Sequence, residues 1–406
     1  MAVIKPFKAI RPTRDKAHLV ATRPLASYKP NVLKAKMESN PYTFIHIIHP
    51  DFSEGIKTKP NSEKRFQLVR KRFEEFCGNE ILIQDQQESL YLYRQSHDGY
   101  EFLGIIGGAS IEEYNKGLIK KHEATLTSRE EMFTNYLDLV GFNAEPVLLS
   151  YPKNVKLEQL YMRIIQERPE YEFSTTDKVK HELWILTQRE VLEVQEYFKA
   201  IEATYIADGH HRSASSARLS NIVEDKFDNQ NHSLAFFIDE SHMRILEFNR
   251  LVKKVQLPTG EFLEKIKSSF EIEKLKESQL PARQHEMVMN LRGEWYLLKC
   301  KPGVADDTCP VASLDTEILT RFILDPVLGI KDLKTDKNIE FVSGNLGIKA
   351  IEKAILKKEA ELGFVLHPLT VEQIRKVADN EMIMPPKSTW VEPKLRSGMT
   401  IYNIRE

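Results

Sequence analysis

Apolar and polar residues alternate along this chain in two periods, and the elements they predict interleave. The run 41–50, PYTFIHIIHP, sets Phe44, Ile45, Ile47 and Ile48 against two histidines and reads as a strand. A helix follows, capped by Asn61 or Ser62, with Phe66, Val69 and Phe73 on one apolar face. SLYLYRQ and YEFLGIIGG flank Asp98-Gly99 and predict a β-hairpin. A helical piece spans 111–121. Thr127 and Glu130 have capping-box spacing, and open a helix that ends at Gly141. EPVLLSY and HELWILT read as strands around the amphipathic helix LEQLYMRIIQER. VLEVQEYFKAIE (191–202) is a helix, and residues 203–220 run strand, turn, helix. HSLAFFIDESHMRILEF (232–248) reads as a hairpin. Beyond it come the helix FLEKIKSSF, a hairpin at Arg292-Gly293, and the helix LDTEILTRFIL.

This alternation predicts an α/β or α+β protein with a mixed sheet. The expected division is an N-terminal lobe, 1–250, and a second, C-terminal lobe, 251–406, whose Pro-Pro-Lys-Ser-Thr tail can return to the site. At 406 residues, the chain has ample length for two lobes around one site. With 58 basic and 59 acidic residues and a pI near 6.9, no basic excess points to nucleic acid. No apolar run reaches the roughly 18 residues that span a bilayer, and the N-terminus carries no secretory pattern. Three scattered cysteines fit a reducing compartment. The expected location is the cytoplasm.

The sharpest chemical feature is Asp208-Gly209-His210-His211-Arg212, at a strand-to-helix junction before Ser213 and other small residues. Glycine lets the backbone turn and approach a ligand. A helix start offers N–H groups and a positive dipole end to a phosphate, and Arg212 adds a bidentate fork. An ordinary turn with a surface cation is the plain alternative. His122 and Glu123 form a second feature, with Glu123 suited to take a proton from a hydroxyl. Cations at a helix end explain the same residues structurally. A third feature is Met384-Pro385-Pro386-Lys387-Ser388-Thr389, where prolines present Lys387, Ser388 and Thr389 in a fixed place for a phosphate. A surface clasp is its plain counterpart. His46 and His49, three apart on a strand, would face opposite ways and share no metal.

At these residues the sequence resembles the bacterial and archaeal domain-of-unknown-function family 1015. The motifs are IRP (10–12), KGLIKKHEATL (116–126), YIADGHHRSAS (205–215) and IMPPKSTWVEPKLRSG (383–398). The family's early Pro-Tyr-Asp is replaced here by Arg23-Pro24-Leu25-Ala26. The Asp-Gly-His-His-Arg segment looks like the phosphate-binding motif of the ParB/sulfiredoxin-like superfamily, which includes kinases of free serine. His210 stands where sulfiredoxins carry a catalytic Cys, so that reaction is not expected.

The resemblance implies a nucleotide-dependent phosphotransferase acting on a small hydroxyl metabolite. Gly209, His210, Arg212, Ser213, Lys387, Ser388 and Thr389 would hold phosphates of ATP, ADP or CTP with Mg²⁺. Glu123 or Asp208 would be the base, with His211 assisting and His122 nearby. The rival reading is a non-catalytic nucleotide-binding or regulatory protein. A third is a metal-dependent hydrolase using the histidines.

Overall fold

A computed structural model describes residues 2–51, 57–223 and 227–406. The chain divides into two compact units. The first comprises Met1–Lys120, Thr125–Met243 and Pro393–Glu406. The second comprises Lys121–Ala124 and Arg244–Glu392.

The first unit is built on a mixed sheet of β1 (Ile4–Lys5), β2 (Tyr91–His97), β3 (Tyr100–Ser110), β4 (Ile119–Lys120), β5 (Val147–Tyr151), β6 (Tyr171–Ser174), β7 (Lys180–Ile185), β8 (Thr204–Asp208) and β9 (His232–Asp239). Their order is β4-β8-β5-β9-β3-β2-β7-β6, with β1 paired to β3. The β4–β8 and β5–β9 pairs are parallel and the rest antiparallel. Asp98 and Gly99 both take positive φ, and so make the β2–β3 turn.

The apolar stripe at Phe66 and Val69 does form a helix, α1 (Glu63–Gly78), with Ser62 accepting from the Arg65 N–H as N-cap. α2 (Thr127–Val140), α3 (Val155–Ile164), α4 (Gln188–Phe198) and α5 (His210–Ile222) follow. Leu149, Ile206, Ala235 and Phe237 form one buried core with Leu157, Leu160, Val191, Val194 and Phe198 from α3 and α4.

Four local expectations are corrected, the first being the helical piece over 111–121, which ends at Asn115, with Ile119–Lys120 forming β4. Residues 41–50 form no strand but a helical turn, Ile45–Ile48. The doubled apolar positions Phe44/Ile45 and Ile47/Ile48 recur at 3.6-residue spacing, which buries Phe44, Ile45 and Ile47 on one side. The opposite-face argument for His46 and His49 therefore lapses. The N-cap of α2 is Leu126 rather than Thr127, and Thr125 Oγ1 bonds Glu130 instead. The segment after β9 does not fold back as a hairpin. Arg244–Leu246 pairs with Trp390–Glu392, across 148 residues between Arg244 and Glu392.

The second unit centres on a six-stranded sheet of β10 (Phe248–Val252), β11 (Phe270–Leu275), β12 (Glu286–Leu291), β13 (Glu294–Cys300), β14 (Ile339–Ser343) and β15 (Leu362–Leu366). The order is β11-β13-β12-β15-β10-β14. Every pair is antiparallel. One face carries Val252, Met287, Met289 and Phe364 against α6 (Thr259–Ile266) and α7 (Asp315–Leu319). The other carries Leu251, Val288 and Val365 against α8 (Ile348–Leu356).

Candidate phosphate site

β8, flanked by β4 and β5, ends on Asp208, and Gly209 starts α5 with φ +102°. Few side chains tolerate that backbone. A Cβ here would also meet the Arg212 guanidinium at 3.0 Å, so the bare glycine lets Arg212 fold back across the helix start. There Arg212 Nη1 donates to the Pro146 carbonyl and Nη2 lies 3.7 Å from Asp208 Oδ2.

Asp208 has a second cation. Lys394 Nζ donates to Asp208 Oδ2 at 3.1 Å. Burial alone would raise the Asp208 carboxyl. The Lys394 ammonium, then Arg212, outweigh burial and hold the group down at about 2. Asp208, Arg212 and Lys394 line one concavity with Pro24, Glu145, Pro146, Leu148, Pro393 and Leu395.

The wall carrying Lys394 is held by backbone bonds. Ser397 N–H donates to Thr22 O at 2.8 Å, and Thr22 N–H donates back at 3.2 Å. Ser397 Oγ donates to Glu145 Oε1 at 2.9 Å. Next to it, Arg396 donates to Asp177 Oδ2 at 2.8 Å, and Arg23 stacks over Tyr28 with its guanidinium 4.5 Å from the ring centre.

The remaining motif residues fall as follows. His210 is buried at the first turn of α5. His211 is half-buried, and its Nε2 accepts the Leu126 N–H at 3.2 Å. Ser213 is buried and spends its N–H on Gly209 O, so it offers that group to no ligand. The parallel pairing of Lys120 with Tyr205 sends β4 and β8 in the same direction.

His122, Glu123, Lys387, Ser388 and Thr389 belong to the second unit. His122 is fully buried, and its carbonyl accepts the Met384 N–H at 2.9 Å. Ser388 is buried and donates to Pro385 O at 2.7 Å. Its Oγ also lies 3.2 Å from Thr316 Oγ1. Lys387 takes φ +59°, with Nζ 5.6 Å from the Phe248 ring centre. Of the expected site residues, Asp208, His210, His211 and Arg212 belong to the first unit and His122, Glu123 and Lys387 to the second. In the sequence Lys394 stands only as the tail of the third feature, after Glu392 and Pro393, Pro24 only within Arg23-Pro24-Leu25-Ala26, and Glu145 only at the head of the strand run EPVLLSY, none of them with a role at the site.

Among the described residues, no three His, Cys, Asp or Glu side chains cluster as metal ligands. No helix among them is long and apolar enough to cross a membrane.

Architecture and motifs together define a mixed α/β protein with a strand-turn-helix at Thr204–Asp208 and His210–Ile222. Residues 4–317 match the family model described as "Protein of unknown function (DUF1015)", and the chain belongs to that family. A comparison with curated proteins finds no match. Among solved structures, a free serine kinase in complex with AMP is 12% identical, covering 73% of this chain and 91% of its own, with a TM-score of 0.37. A conserved hypothetical protein from Pyrococcus furiosus is 13% identical over 73% of this chain and 94% of its own, at 0.37. SbnI with a C-terminal truncation, from Staphylococcus aureus, is 12% identical over 71% and 82%, at 0.36.

Proposed function

We propose that the first unit binds the phosphates of a nucleotide at the start of α5, and that the protein is a nucleotide-dependent phosphotransferase for a small hydroxyl compound. One observation carries the reading. Two cations from distant parts of the chain, Arg212 and Lys394, gather on one carboxylate beside a glycine-initiated helix N-terminus and line one concavity. Phosphoryl transfer asks mainly for positioning and charge stabilisation, and helix N–H groups with Arg and Lys supply both.

The residues fit a nucleotide's phosphates better than a resident metal. Asp208 is already paired to two cations, so Mg²⁺ would come with the nucleotide, keeping most of its waters. When bound, it would neutralise phosphate charge. Arg212 would leave its Pro146 contact or share it, and Lys394 would orient the phosphates from the opposite wall.

A second reading, nucleotide binding without turnover, has its own support. A carboxylate held near 2 is a weak proton acceptor at neutral pH, and the His211 Nε2 lone pair is spent on Leu126. One experiment separates the two. The protein is incubated with ATP, ADP or CTP, Mg²⁺ and a panel of hydroxylated metabolites, and products are read by mass spectrometry. Phosphorylated product supports the transferase, and tight binding without product supports the binding module. Arg212→Ala should weaken nucleotide binding by about 1.5–3 kcal/mol, the range for a hydrogen bond to a charged group. Unchanged affinity by calorimetry would remove the site from α5.

A further inference from the structure

Arg250, in the second unit, is buried with no ion-pair partner among the described residues. Arg250 is fully covered in the middle of β10. Its register partners on the flanking strands are Phe341 and Phe364. Its guanidinium carbon lies 5.2 Å from the Phe341 ring centre. Nη1 donates to the Phe248 carbonyl, two residues back on the same strand. Among the described residues, Nε and Nη2 have no hydrogen-bond partner.

Which nitrogens are left over matters. Nε–H and the inner Nη2–H form one edge of the guanidinium, two parallel donors spaced for two oxygens of one anion. Nη1, the nitrogen already satisfied, belongs to the other side. Buried charges are normally paired, and burial pushes this guanidinium down to about 9, far below its ordinary range.

The surroundings repeat the pattern. Phe248 meets Phe341 edge-on, with ring centres 6.2 Å apart. Lys387 Nζ rests 5.6 Å from the Phe248 ring centre, so both rings of the pair carry a cation.

We propose that Arg250 is the recognition residue of a second anion site, taking a compact oxyanion, a carboxylate or a phosphate, on its Nε/Nη2 edge, with Lys387 as the accompanying cation. The site is independent of the α5 reading, since all of its residues belong to the second unit.

The test uses the full chain and four probes: acetate, glycolate and glycine for carboxylates, and inorganic phosphate. Binding is read by calorimetry and by the rise in melting temperature. At least one probe should bind, and the arm that responds names the chemistry. Arg250→Met should abolish that response, while the ligand-free variant melts no lower than the parent, because an uncompensated buried charge has been replaced by an apolar chain of similar length. Should Arg250→Met fail to fold, Arg250→Lys keeps the charge but loses the fork, and affinity should fall at least tenfold. The carboxylate response should persist in Arg212→Ala, and phosphate is read in the Arg212→Ala chain with and without Arg250→Met, because the α5 site of the proposed function would answer the same probe. Three results would overturn the proposal: no response of the parent to any probe, a response that survives Arg250→Met, or unchanged affinity in Arg250→Lys.

Discussion

Lys394→Met removes the nearer of the two cations on Asp208 and keeps a side chain of similar length. The shift it acts on is from the usual 3.8 to about 2, which at about 1.36 kcal/mol per unit corresponds to roughly 2.4 kcal/mol of differential interaction. The Asp208 side chain is 42% exposed, so solvent screening reduces the net contribution to about 0.5–1 kcal/mol. Arg212 stays at 3.7 Å, and burial then has less to oppose it. The Asp208 carboxyl should therefore rise from about 2 toward its ordinary value. A depressed carboxylate stabilises the fold above its unfolded value and loses that contribution as pH falls through the folded one. Parent and variant should differ by about 1–3 °C in melting temperature at pH 7, and the gap should close between about pH 4 and 2. The assay is carbon-detected NMR titration of the Asp208 carboxyl beside calorimetric melting across that range. An unmoved titration midpoint would refute the pairing. So would a melting difference that does not depend on pH.

Gly209→Ala forces a methyl onto a backbone at φ +102° and against Arg212, so it should cost about 1–2 kcal/mol of stability and weaken nucleotide binding together, checked by chemical denaturation and calorimetry. In the second unit, Asp315 is buried at the start of α7, and burial raises its carboxyl to about 7, against a single bond from the His285 N–H at 2.9 Å. A raised carboxyl contributes stability below its unfolded value and loses it as pH climbs through the folded one, so the parent should weaken by a few kcal/mol between about pH 4 and 7. Asp315→Asn should flatten that slope in denaturation at stepped pH, and a slope unchanged in the variant would assign it to another group.

What the sequence disclosed was local. The Asp98-Gly99 and Arg292-Gly293 turns, the α1 stripe and the β8–α5 junction each lie within a few residues of the chain, and each formed as read. The misread segment 41–50 was a question of period: Tyr42, Phe44, Ile45, Ile47 and Ile48, five apolar or aromatic residues in ten, fit either template until one sees which side is buried. Lys394 meets Asp208 across 186 residues, and neither hydropathy nor spacing carries a contact of that reach. Arg250 was hidden differently. A single basic residue in FNRLV looks like a strand's solvent side, and only the flanking Phe341 and Phe364 show that it faces inward.

The closing stretch of the first unit has a consequence for biosynthesis. Pro393–Glu406 supplies Lys394 and Leu395 to the concavity, and its Tyr402–Asn403 pairs with Phe142–Asn143. On the ribosome, residues 244–392 emerge between the body of that unit and this last piece. Through all that time the nascent first unit holds Asp208 and Arg212 without the lysine. Lys394 is made only after residues 244–392, so a chain broken off before residue 394 would keep the Asp-Gly-His-His-Arg motif intact and still lack one of its two cations.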